Sequence, residues 1–157
     1  MISCVEYDSA PAHPTVRGNG ELILVVDDED LMRALIKQIL EASGFDVLTA
    51  VNGADAAAVY SRHKDAIDVV LTDMVMPVMD GIALTRALKG MNPDVRVIVT
   101  SGLSSEEYQS KAIGAGARQF LAKPFETEFL LSSVAEILDD RQGFAAVPIS
   151  ASNRSKF

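Results

Sequence analysis

A single cysteine, Cys4, stands in a polar N-terminal stretch, so neither an internal disulfide nor a thiolate metal site can form within this chain. That usage fits a reducing compartment, and a cytoplasmic location is the simplest expectation. Histidine is almost as scarce. His13 lies near the start and His63 at the end of a predicted helix, which leaves neither placed to activate a serine nucleophile. Basic residues are outnumbered, 14 lysines and arginines against 22 aspartates and glutamates, for a net charge of -8. The basic stripe that neutralises nucleic-acid phosphates is missing, which argues against direct nucleic-acid binding. Solubility accounts for most of the negative charge. No apolar run approaches the length of a membrane span or follows a charged start as in a signal peptide, so no membrane partner is expected.

What is present is a chain of 157 residues, 48% hydrophobic, which suits one compact domain with a sizeable core and short tails. Residues 1–20 hold Pro11, Pro14, Gly18 and Gly20 among small and polar residues with no apolar period, the pattern of a flexible leader. Residues 141–157, with Gly143, Pro148 and a Ser/Asn/Lys-rich end, carry too little apolar content for a second core and read as a flexible tail. Between them, residues 21–140 alternate between two periods. Leu31, Leu35 and Ile39 recur at helical spacing and stop at Gly44; Ala54 to His63, Ile82 to Lys89 and Glu126 to Asp139 predict further helices. Ser104 with Glu107 three residues on resembles a capping box opening another, and Asp30 is the cap candidate of the first. Short β-rich runs separate them, giving five strands and five helices in a doubly wound α/β sheet with right-handed crossovers.

Three of the strand runs end in reactive polar residues. Leu22 to Val26 runs into Asp27 and Asp28, Val69 to Thr72 into Asp73, and Val95 to Thr100 into Ser101; a fourth, Phe120 to Ala122, runs into Lys123 and Pro124. Parallel sheets bind ligands at the carboxyl ends of their strands, so three carboxylates, a hydroxyl and an ammonium are expected at one edge. That set suits a divalent cation and a phosphoryl group. Asp73 needs no deprotonation to act as an oxygen nucleophile, and carboxylates accept phosphoryl groups as aspartyl phosphates. Alone, each residue has a plainer reading: Asp73 and Ser101 as turn formers, Asp27-Asp28-Glu29 as a solvated helix start, Lys123 as a surface lysine, Phe120 as core. The opposition of Asp73 to a second acidic site overturns the plain reading for the aspartates, though Glu29 and Asp30 keep it.

In order, Val25-Val26-Asp27-Asp28-Glu29, Leu71-Thr72-Asp73 through Met76-Pro77 to Asp80-Gly81, Thr100-Ser101-Gly102 and Lys123-Pro124-Phe125 resemble the receiver domain of bacterial two-component signalling. The resemblance implies a flavodoxin-like five-stranded parallel sheet of order 2-1-3-4-5. It also implies Asp73 as phosphoacceptor, with Mg2+ held by Asp28 directly, Asp27 mostly through water, Asp73 itself and the backbone carbonyl of Val75. A cis Lys123–Pro124 bond would bring the ammonium to the acyl phosphate, and Ser101 would donate to another phosphoryl oxygen. Ser101 and Phe120 would form a switch, the serine drawn to the phosphate and the aromatic filling the space it leaves. The implied partners are a sensor histidine kinase or histidine phosphotransfer protein, and an unknown downstream protein.

Two features mark this chain within the resemblance. Val75, two residues after Asp73, is apolar where many relatives are polar, and Leu103 is apolar in a loop the family exposes. Two other functions compete. A magnesium-dependent phosphatase of related fold would place a general acid where Val75 stands. A scaffold pseudo-receiver would have lost a key side chain, and none is lost here. Three clustered carboxylates also repel one another, so the metal-free site is expected to be strained.

Overall fold

A computed structural model of the chain describes residues 16–103 and 105–139. The strands are β1 (Leu22–Val26), β2 (Asp46–Ala50), β3 (Ile67–Asp73), β4 (Val97–Ser101) and β5 (Gln119–Ala122). The helices between and after them are α1 (Asp30–Ala42), α2 (Gly53–His63), α3 (Gly81–Met91), α4 (Glu106–Ala115) and α5 (Thr127–Asp139). All four strand pairings are parallel and the order is β2-β1-β3-β4-β5, as the resemblance implied.

Side-chain alternation along β1 shows how the layers form. Ile23 and Val25 face a core built with Ile36 and Leu40 of α1 and Leu130, Val134 and Ile137 of α5. Leu24 and Val26 face the other way, against Ala56 and Tyr60 of α2, Leu84 and Leu88 of α3 and Ala112 of α4. Because both faces are covered, β1 reads in the sequence as an unbroken apolar run rather than an alternation. The register pairs Val26 with both Ala50 and Thr72, and Asp73 with Thr100, so the strand ends carrying polar residues lie level at one edge.

Local chemistry sets the helix starts. Asn52 caps α2 by accepting from the Asp55 N–H (2.8 Å), and Asp80 caps α3 by accepting from Ala83 (2.8 Å). Two expected caps fall elsewhere. The N-cap of α1 is Glu29, with no side-chain cap bond, while Asp30 lies inside the first turn and pairs with Arg33 at 2.6 Å. Helix α4 is capped by Ser105, which accepts from Tyr108; Ser104 lies outside the described residues. Of the expected leader, residues 16–20 lie within the description. Gly18 N donates to Ser43 O, Gly20 N donates to Gly44 O, and Val16 packs on the α1/α5 core. The remainder of the leader and the 141–157 tail lie outside the described residues.

Candidate functional site

The sheet order places the polar strand ends side by side, because β1, β3, β4 and β5 are consecutive neighbours. Asp73 closes β3 at the centre, with Asp27 and Asp28 beyond β1 on one flank and Ser101 at the end of β4 on the other. Lys123 leaves β5, three strands from β1.

Asp27 is 1% exposed and held on every side. Its N–H donates to Ala50 O (3.2 Å), its carbonyl accepts from the Arg33 guanidinium (2.7 Å), and its Oδ1 accepts from Glu29 N–H (2.9 Å). Its Oδ2 faces Lys123 Nζ at 3.3 Å. Asp73 is aimed by its neighbour: Met74 N–H donates to its Oδ1 at 2.8 Å, leaving Oδ2 directed at Lys123 Nζ, 3.5 Å away. Burial pushes the Asp73 carboxyl above its ordinary value; the Lys123 charge pulls it back, and the Asp27 charge adds to the rise. Asp28 is exposed. The expected mutual repulsion of the carboxylates is therefore partly relieved, since one ammonium bonds two of them.

Asp27, Asp28 and Asp73 each offer a carboxylate oxygen, all within 4.8 Å of one another. Hard oxygen donors, one buried, one partly buried and one exposed, suit a magnesium ion that keeps several waters and an open side for a phosphoryl oxygen. The donor set fits that ion on its own chemistry.

The Lys123–Pro124 bond is cis, and Lys123 N–H donates to Ser101 O at 2.8 Å, so the two residues are fixed to each other through the backbone. Ser101 is 1% exposed; its Oγ accepts from Leu103 N–H at 2.9 Å, which leaves the hydroxyl proton available to another acceptor. Phe120 pairs with Val99, two residues below the Ser101–Ala122 pair, and is partly buried against the α2–α4 core. Val75 lies in the loop after β3 with its side chain 59% exposed.

Two further residues shape the site: Arg33, which carries no motif signal, and Gly81, which ends the motif that follows Asp73. Arg33 ties α1 to the Asp27 carbonyl. At Gly81 a Cβ would run into the Asp73 carbonyl oxygen, so glycine lets α3 start directly against the strand end.

Residues 23–135 match the family model described as the response regulator receiver domain. This chain belongs to that family. The chemotaxis protein CheY of Bacillus subtilis (strain 168) is 38% identical over 118 residues, 74% of this chain and 97% of the relative. Among solved structures, a chain of the CheX–CheY–BeF3–Mg2+ complex from Borrelia burgdorferi superposes with a TM-score of 0.72 at 32% identity, covering 74% of this chain and 87% of that one. A receiver domain protein from Clostridium thermocellum gives 0.74 at 31% identity, covering 77% and 96%. The chain is thus a CheY-like receiver, a signalling module of the kind that works with histidine kinases and downstream effectors. No helix among the described residues is long and apolar enough to cross a membrane.

Proposed function

We propose that this receiver takes a phosphoryl group from a phosphohistidine onto Asp73 and passes the signal to a protein partner through a conformational change. The observation that carries the reading is the convergence of three aspartate oxygens within 4.8 Å and one ammonium that reaches both Asp27 and Asp73. In the transfer, an Asp73 carboxylate oxygen bonds to phosphorus as the bond from phosphorus to the donor imidazole nitrogen breaks, and the imidazole, protonated on its other ring nitrogen, departs neutral with that electron pair. Such a step needs alignment and charge neutralisation more than covalent help. Met74 N–H fixes the carboxylate, Lys123 pairs with one phosphoryl oxygen as a point charge, and Ser101 donates its hydroxyl proton to another. Asp27, Asp28 and Asp73, with the Val75 carbonyl, would hold a magnesium ion, which would supply further positive charge at the phosphoryl oxygens. The relative from Borrelia burgdorferi carries Mg2+ and BeF3 together in its complex, which supports the same pairing of ligands here.

The donor is a sensor histidine kinase or a histidine phosphotransfer protein, and the reader of the phosphorylated state is a second protein. Its surface changes as Ser101 turns from Leu103 toward the phosphate and Phe120 moves inward. A cytoplasmic location follows from this role. Val75 offers no general acid two residues after Asp73, which disfavours the phosphatase. The test is intact mass after incubation with acetyl phosphate and magnesium, beside an Asp73→Asn variant. One added phosphoryl group in the wild type alone supports the reading; no gain in a folded wild type favours a scaffold instead.

A further inference from the structure

Val78 is the one described non-glycine residue with a left-handed backbone, at φ 70°. Its branched side chain is 81% exposed, so no packing offsets the strain. Met79 N–H donates to Pro77 O at 2.7 Å, closing a three-residue turn about Val78, and with φ positive this is the rare, strained hand of that turn. The surroundings hold it in place. Gly81 N–H donates to Met74 O (2.8 Å) and closes the base of the 74–81 loop, while Gly53 N–H, at the first residue of α2, donates to Met79 O (3.0 Å) and ties down its tip. That second contact requires glycine: a Cβ at 53 would run into the Met79 oxygen and lie 2.7 Å from its Cγ.

We propose that Gly53 and Val78 are opposed positioning residues for the phosphorylation site. The Gly53 N–H latches the 74–81 loop shut, and Val78 loads the loop against the latch. The side chain at 78 thereby sets how often the segment carrying Val75 opens beside Asp73. This rests on the reading of Asp73 as phosphoacceptor with the Val75 carbonyl turned to the metal. Relaxing Val78 to a negative φ breaks the turn, and moving Met79 breaks the latch, so the two bonds are lost together. A glycine at 78 takes the same backbone without strain and stabilises the closed loop.

The experiment is amide hydrogen exchange on the full chain without metal, followed by melting curves across a magnesium titration. Val78→Gly is expected to slow exchange at Met79 and Gly53 roughly tenfold, the factor that relief of a left-handed side chain corresponds to, and to lower the magnesium concentration giving half the melting shift. Gly53→Ala is expected to speed exchange at Met79 and raise that concentration, leaving the amides of Val25 and Val70 in the sheet unchanged. A general effect on stability would not move the two variants to opposite sides of the wild type in magnesium response. Unchanged or faster exchange at Met79 in Val78→Gly overturns the proposal, as does a magnesium response moving the same way in both. If Gly53→Ala does not fold, Val78→Gly alone decides. A wild type that shows neither a magnesium-dependent melting shift nor a mass gain from acetyl phosphate refutes the site reading instead, and exchange still decides the latch.

Discussion

Lys123 is the residue on which the resting site depends. Asp27 is buried, and its carboxylate pairs with an ammonium that also serves Asp73. Lys123→Met leaves both carboxylates without that charge and is expected to destabilise the metal-free protein by about 2 kcal/mol in urea unfolding. That is below the roughly 3–5 kcal/mol seen when deeply buried pairs are broken, because this site keeps a path to water. Asp73 carries a pH signature. Burial raises its pKa above the ordinary 3.8, so the folded chain binds this proton more tightly than the unfolded one. Its contribution favours the fold most below pH 3.8 and is lost as the pH rises through the folded value. Asp73→Asn should therefore melt higher than wild type at neutral pH without magnesium, with the difference shrinking toward acid; a pH series of melting curves on both proteins checks this. At this scale the acidic pair, Asp73, Ser101 and Lys123 were legible because each ends an apolar run. Arg33 and Leu103 N–H were not, because each acts through a backbone contact that no side-chain pattern records.

Elements were legible in kind and order, and their ends less so. Every expected strand and helix is present, with boundaries displaced by one or two residues in most cases. The displaced caps have local reasons. Asp30 is drawn to Arg33, which is itself held by the Asp27 carbonyl, so the site fixes how α1 begins. The run Ser104-Ser105-Glu106-Glu107 offers two capping registers, and composition alone does not choose between them. Where a cap is formed its worth can be measured: Asn52→Ala removes the bond to Asp55 N–H and should cost about 1 kcal/mol in chemical denaturation. Packing against the sheet is worth more. Leu84 is fully buried in the core shared by α2, α3 and α4, and Leu84→Ala should cost about 2–5 kcal/mol by the same measurement. Because α3 begins beside Asp73, that variant should also take up phosphate from acetyl phosphate more slowly than wild type when both are folded.

For the molecule as a whole, ligand binding and folding are one equilibrium. A cation that binds the folded chain alone stabilises it by mass action, about 2.7 kcal/mol at a hundred times its dissociation constant. Magnesium is expected to raise the melting temperature, EDTA to reverse the rise, and Asp28→Ala to abolish it while the fold persists, since Asp28 is exposed. An unchanged magnesium response in Asp28→Ala would remove that residue from the metal site. The α/β class was readable from alternating periods. The strand order was not, because strands buried on both faces look alike in sequence, and it came only with the family resemblance. That order has a consequence for how the chain is made. β1 is synthesised first yet lies between β2 and β3, and Leu22 pairs with Ile67, 45 positions later. At ribosomal rates of roughly 5–20 residues per second, the most apolar strand waits several seconds for its second neighbour. Nascent chains arrested before Ile67 should therefore be the aggregation-prone and chaperone-bound ones, and those arrested past α5 should not.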